Sequence, residues 1–147
     1  MDSTVSTVFT DVELAYLTSQ HLARLATAQP DGTIQINPVT FRYNHATGTI
    51  DIGGRHMATS RKFRNVRDNG RVAFVVDDLR SVDPVWQPRC LEVRGQGEAL
   101  TQAADSAWAG VANGWDGAII RIRARRVISF GIDENDPPFT SHRRDVG

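Results

Sequence analysis

Leu91-Glu92-Val93-Arg94-Gly95-Gln96-Gly97-Glu98-Ala99-Leu100 alternates in the manner of a β-strand and carries two glycines near its middle. A strand of this kind has to bend tightly, because glycine removes the side chains that resist curvature. Other runs of strand character surround it. Leu22 to Thr27 and Thr33 to Ile36 flank Gln29-Pro30-Asp31-Gly32, in which proline fixes φ and glycine closes the turn, so residues 22 to 43 read as a β-hairpin. After the turn Asn44-His45-Ala46-Thr47-Gly48, a short strand Thr49-Ile50-Asp51-Ile52 stops at Gly53-Gly54. Arg71 to Val76, Ala118 to Arg123 and Val127 to Phe130 supply further strands. Five or six antiparallel strands with no strand-helix-strand alternation predict an all-β domain with short helices, folded as a small closed or half-closed barrel.

Two helices punctuate this pattern. Thr10 followed by Glu13 is a capping box, and Val12, Tyr16 and Leu17 recur at helical spacing, which predicts a helix over 11 to 19 that serves as an end piece. A second helix is expected from Thr59 or Ser60, burying Phe63 and Val66 and ending at Asn69-Gly70. Pro38 falls inside the second strand and cannot donate to a ladder, so this strand is expected at an edge, or bulged near 37 to 38, with backbone groups left for something other than protein. Residues 77 to 88 read as a loop with Trp86, residues 101 to 116 as a turn with a short helix, and the segment from about 133 as a polar tail.

The chain has 147 residues, enough for one domain (1–147) and one core. Seventeen basic residues balance seventeen acidic ones, which argues against a nucleic-acid partner. No apolar run approaches the roughly 20 residues that cross a bilayer, and the first residues show no secretory pattern, so no membrane partner and a cytoplasmic location are expected. Cys90 is the only cysteine and reads as a small hydrophobe. His21, His45, His56 and His142 lack metal-ligand spacing, no serine sits in a nucleophile elbow, and no catalytic side chain is assigned. Any difficult chemistry would belong to a cofactor.

Gly53-Gly54 followed by Arg55 and then Ser60-Arg61-Lys62-Phe63-Arg64 poses a local electrostatic problem. Cations in the first turn of a helix meet its partly positive end. A bound phosphate would offset this by accepting from the free N–H groups, Ser60 and Arg61 or Lys62, while the glycine pair would let a cofactor approach closely. The competing reading is a solvated basic face.

"RLATAQPDGTIQINPVTFRYN", "GTIDIGG" leading into "SRKFRNVRDNGRVAFVVDD", and "CLEVRGQGEAL", in this order, resemble the flavin split-barrel family of pyridoxamine 5'-phosphate oxidase-like proteins, in particular a subgroup thought to use the deazaflavin coenzyme F420. The resemblance covers about Phe9 to Asp133. It implies a six-stranded antiparallel FMN-binding split barrel, a homodimer with cofactor at the interface, and transfer of a hydride between reduced F420 and a small conjugated or aromatic acceptor. The same fold using FMN, or a non-catalytic protein that binds flavin, F420 or a haem-like ligand, are its alternatives. Carried onto this sequence, Pro38, Val39 and Thr40 would back the ring. Ile52, Gly53 and Arg55 would line the next strand and loop, Ser60, Arg61 and Lys62 would clamp the phosphate, and Trp86 or Gln87 would reach across from the other subunit. Some of Phe74, Trp86 and the strand near Val93 are expected at the dimer interface. The C-terminal segment does not match the basic, aromatic ending of vitamin B6 oxidases.

Overall fold

The structure is a computed structural model that describes residues 7–111 and 114–147. In chain order it contains α1 (Asp11–Ser19), β1 (Leu22–Ala28), β2 (Ile34–Asn44), β3 (Thr49–Gly53), a single 3-10 turn (Met57–Thr59), α2 (Arg61–Asn69), β4 (Arg71–Ser81), β5 (Gln87–Leu100), β6 (Ile119–Phe130) and β7 (Ser141–Asp145). All strand pairings are antiparallel, in the order β3-β2-β1-β4-β5-β6-β7, and β3 pairs back onto β6 to close a six-stranded barrel. Residues 120 to 122 of β6 meet β3, whereas residues 126 to 130 meet β7.

The glycines of β5 are where the barrel bends. The β5–β6 register shifts between Arg94 and Gly95, and a Cβ on Gly95 would lie 2.3 Å from the Arg123 carbonyl oxygen. Gly97 passes under α2: its N–H donates to the Gly70 carbonyl at 2.7 Å, and a Cβ there would press on Val72 and Val66 at 3.0 and 3.1 Å. Close approach, and not only curvature, therefore requires both residues.

Alternate residues fill the interior. Leu25, Phe41, Ile50, Ile52, Phe74, Val76, Leu91, Val93, Ile120 and Ile122 are buried, with Phe41 and Phe74 edge to face at 5.1 Å. The helices plug opposite ends. Thr10 caps α1 with Glu13 as anticipated, and Tyr16 reaches Asp78 late in β4. In α2, Ser60 is the N-cap, Gly70 takes φ 72° at the C-cap, and Phe63 and Val66 are buried. Asn65 bonds to Thr27, whose neighbour in β4 is Val72, at the other end of that strand from Asp78.

Several expectations change. Val12 is exposed, so α1 packs through Glu13, Tyr16 and Leu17. Pro38 pairs with Arg24 without a bulge. The anticipated loop over 77 to 88 shrinks to residues 82 to 86, because the polar residues there are satisfied across the sheet: Asp77 by Arg24, and Asp78 by Arg89 and Tyr16. Two anticipated strands near the C-terminal end are one, β6. Residues 101 to 116 form turns and no helix among the described residues; 112 and 113 of that stretch lie outside them.

The anticipated tail is a strand. β7 pairs with β6, and Arg144 donates to the buried Glu13 carboxylate and to the Val8 carbonyl, both at 2.7 Å, tying the end of the chain to α1. Burial alone would raise the Glu13 pKa, but Arg144 and the Thr10 N–H hold it below its ordinary 4.5.

A carboxylate with a depressed folded pKa contributes stability above its unfolded pKa and loses it as pH falls through the folded value. In urea melts across the acid range, Arg144→Met should therefore lower stability near neutrality, and its deficit against wild type should narrow as pH falls and Glu13 is protonated. A second substitution concerns β3. Asp51→Asn removes the charge facing the buried Arg121 and should cost about 3–5 kcal/mol, measured as a lower urea midpoint at an unchanged slope.

Candidate functional site

β2 has β1 beside residues 34 to 40, but β3 beside residues 40 to 44 only. On the β3 side, residues 34 to 39 therefore form a free edge, as Pro38 led us to expect. Pro38 and Thr40 face outward, Val39 is buried, and the Thr40 hydroxyl lies 3.4 Å from the Gly53 carbonyl. Asn65 of α2 bonds to Gln35 on the same strand. The edge of β2, the end of β3 and the turn into α2 thus border one notch, which brings Pro38, Val39, Thr40, Ile52, Gly53 and Ser60 into one neighbourhood. Ile52 is wholly buried and offers this notch only its backbone.

At the α2 end of the notch, charge is unbalanced. The arginines that meet carboxylates, such as Arg24, Arg89, Arg94, Arg121, Arg123 and Arg144, all lie outside residues 55 to 71. Among the described residues, Arg55, Arg61, Lys62 and Arg64 have no carboxylate partner. Lys62, the single lysine of the chain, is half-buried, and that burial lowers its pKa. The first-turn N–H groups of Arg61 and Lys62 find no acceptor among the described residues, as expected at a helix start. Ser60 is already engaged, since its hydroxyl donates to the Met57 carbonyl at 2.7 Å and accepts from the Phe63 N–H at 3.3 Å. It shapes the helix start, while Arg61 and Lys62 hold the available charge. The two glycines differ. Gly54 has φ 156° and open space where a Cβ would stand, whereas a Cβ on Gly53 would lie 2.5 Å from the Trp108 ring. Gly53 makes room for an indole of the same chain.

Trp108 belongs to a brace that sequence reading missed. Its Nε1–H donates to the Asp51 carbonyl at 2.9 Å. The Asp51 carboxylate, fully buried, accepts from Arg121 Nε and Nη2 at 3.1 and 3.2 Å, Thr49 at 2.9 Å, Asn44 at 2.9 Å and the Ala107 N–H at 3.1 Å. Asp116 accepts from the Ala58 N–H at 3.0 Å and the Ala118 N–H at 3.2 Å, and Arg55 lies against Gly114. A signal was present: Asp51 and Arg121 each stand between two isoleucines, so both share the outer face of a strand whose inner face is core.

Trp86 and Gln87 are not brought to this notch by their own chain. They stand where Ser81 pairs with Gln87, at the α1 end of β4 and β5, and Gln87 lines a 230 Å³ cavity with Arg80, Gly131 and Phe139. Phe74 and Val93 point into the barrel and cannot meet a partner; their neighbours Ala73, Val75 and Glu92 face out. With Leu22, Ile34 and Ile36, which are 56, 66 and 63 % exposed, Ala73 and Val75 make an apolar outer face on β2, β1 and β4. Burial pushes the Cys90 thiol up, away from nucleophilic use. No group of metal-binding side chains occurs among the described residues, and none of their helices is long and apolar enough to cross a membrane.

Known proteins resemble this chain in sequence and in fold. The chain is 41 % identical, over 94 % of its length and 93 % of the relative's, to a 5a,11a-dehydrotetracycline/5a,11a-dehydrooxytetracycline reductase of Streptomyces rimosus. Its fold matches a conserved hypothetical protein of Mycobacterium tuberculosis with a TM-score of 0.64 at 21 % identity, covering 97 % of both chains. An FAD-binding protein of Mycobacterium smegmatis matches with a TM-score of 0.62 at 20 % identity over 95 % of this chain and all (100 %) of the other. Residues 9–134 match the family model described as pyridoxamine 5'-phosphate oxidase, and with the closed barrel, the free edge of β2 and the cation-rich start of α2 they show that the chain belongs to that family.

Proposed function

We propose that this protein is an oxidoreductase that reduces a conjugated double bond of a polycyclic, oxygen-rich acceptor, with F420 as hydride source and FMN as the alternative cofactor. The observation that carries this reading is the unbalanced charge at α2: among the described residues, Arg55, Arg61, Lys62 and Arg64 lack carboxylate partners, whereas the other arginines are mostly paired. Reductase activity is supported by the 41 % identical relative, whose name also gives the acceptor class. Four cations exceed what one phosphate takes up, and F420 continues beyond its phosphate into an acidic tail, which favours it over FMN.

A flavin or deazaflavin bound here would supply the two-electron chemistry that side chains lack. The residues present fit such a group. Arg61 and Lys62, with their backbone N–H groups, hold the phosphate, and the open space at Gly54 admits it. The unpaired edge of β2 from Gln35 to Val39 offers backbone groups to a planar ring, and Thr40 marks where that edge ends against β3. In the net reaction one carbon of the acceptor gains a hydride and the other a proton, for which water is the source.

The partner is a second copy of this chain, docked through Leu22, Ile34, Ile36, Ala73 and Val75. Such a face is self-complementary in an isologous dimer, with Arg24, held by Asp77, inside it and Glu92 at its β5 border. This arrangement carries Trp86 and Gln87 toward the partner's notch.

Lys62→Ala should weaken cofactor affinity by about ten- to a hundredfold in calorimetric titration, the worth of one charge-assisted hydrogen bond. Without cofactor it should melt no lower than wild type. The folded pKa of Lys62 is depressed, so its charge opposes folding below that pKa, and the cost fades as pH rises; alanine removes it. Affinities for F420 and FMN that are both unchanged by the substitution would place the phosphate elsewhere. Ile36→Asp should convert a sedimenting dimer to monomer, and a wild-type monomer at micromolar concentration would refute the proposed interface.

A further inference from the structure

Beside the notch, on the outer surface of β2, lies an open groove of about 540 Å³ lined by His21, Thr40, Arg42, Tyr43 and Trp108 among others. Thr40 belongs to both places, facing the groove while its hydroxyl approaches the Gly53 carbonyl. Any ligand in the groove therefore neighbours whatever lies along the free edge of β2.

Arg42 is the distinctive residue here. Its cross-strand neighbour on β3 is Asp51, an outward-facing carboxylate that would ordinarily take its charge. Asp51, however, is saturated by two Arg121 nitrogens, Thr49, Asn44 and the Ala107 N–H. Arg42 is left with an indole: its guanidinium carbon sits 5.1 Å from the centre of the Trp108 ring. Trp108 is itself fixed, by the Asp51 carbonyl and by contact with Gly53. The result is an exposed cation, held in place by a rigid aromatic base, with all its hydrogen-bond donors free of carboxylates among the described residues.

We propose that this groove is the acceptor's seat and that Arg42 recognises an ionised enol or carboxylate oxygen on a planar, polyoxygenated ring system. The guanidinium plane matches such a fork of oxygens, while Thr40 and His21 offer further polar contacts along the same wall. Arg42 is thereby a specificity residue for the reaction proposed above. The inference rests on that reading for the placement of the cofactor beside Thr40, but not for the groove itself.

The probe is oxytetracycline, a polycyclic acid with a vinylogous carboxylate, titrated into wild type, Arg42→Gln and Arg42→Lys with and without saturating F420 or FMN. Arg42 is exposed, so the variants should keep the wild-type melting temperature. The expected result is at least about a tenfold loss of oxytetracycline affinity in R42Q, partial recovery in R42K, and unchanged cofactor affinity in both. Equal affinity in wild type and R42Q overturns the inference, as does failure of wild type to bind the probe under either condition. A parallel loss of cofactor affinity in R42Q also overturns it, since it would assign Arg42 to the cofactor. The Lys62→Ala protein separates the two readings: if it keeps its cofactor affinity, the phosphate assignment fails, while the cofactor-free titrations still decide the role of Arg42.

Discussion

The buried pair of Asp51 and Arg121 is the contact on which the rest of the molecule is arranged. It joins β3 to β6, the two strands whose pairing turns a sheet into a barrel, and it does so on the outside, where a charge pair would normally stay wet. It is dry because the described residues of the stretch 101 to 117 fold over it. Asp105 adds a second carboxylate to Arg121, and Ala107 and Trp108 bond to the side chain and backbone of Asp51. Full satisfaction is what makes such burial tolerable, since a single missing partner would leave a charge without solvent or counter-ion. No buried side-chain polar atom lacks a partner among the described residues.

That covering segment then sets the geometry on the functional side. From the ion pair, Trp108 reaches Gly53, Gly114 meets Arg55, and Asp116 holds the Ala58 N–H just ahead of α2. The chain from the end of β3 to the first turn of α2 is thus supported from behind at three points while its front carries unpaired cations. Rigid support matters because repelling charges at a helix start would otherwise spread and fray it. A brace of neutral and acidic contacts keeps them converged.

The strands, both helix caps and the basic start of α2 were legible in the sequence because each rests on local chemistry: alternation, the Thr10–Glu13 box, Ser60 and Gly70 at the ends of α2. What was missed depends on partners far away in sequence. β4 runs on through Asp77 and Asp78 because Arg24 and Arg89 neutralise them, and no local pattern announces that. β7 reads as a polar tail until Arg144 is seen to meet Glu13, 131 residues away. Gly53 reads as leaving room for a cofactor because it precedes a basic helix start, and the close approach found there is made by Trp108.

Trp108 also explains why two neighbouring arginines take different roles. Arg42 and Arg121 flank Asp51 on the strands either side of it, β2 and β6, and either could have neutralised it. One carboxylate cannot fully satisfy two guanidinium groups, and the segment that covers β3 decides between them. By bringing Asp105 and the Ala107 N–H to the Arg121 side, and an indole to the Arg42 side, it buries one charge and leaves the other exposed. The described residues of this stretch therefore do more than cover the seam. They partition a symmetric arrangement of charges into a structural pair and a free cation, and they set that cation beside Thr40, where the free edge of β2 ends. A change within this segment should for that reason affect barrel closure and ligand recognition together, whereas a change at Arg42 itself separates them.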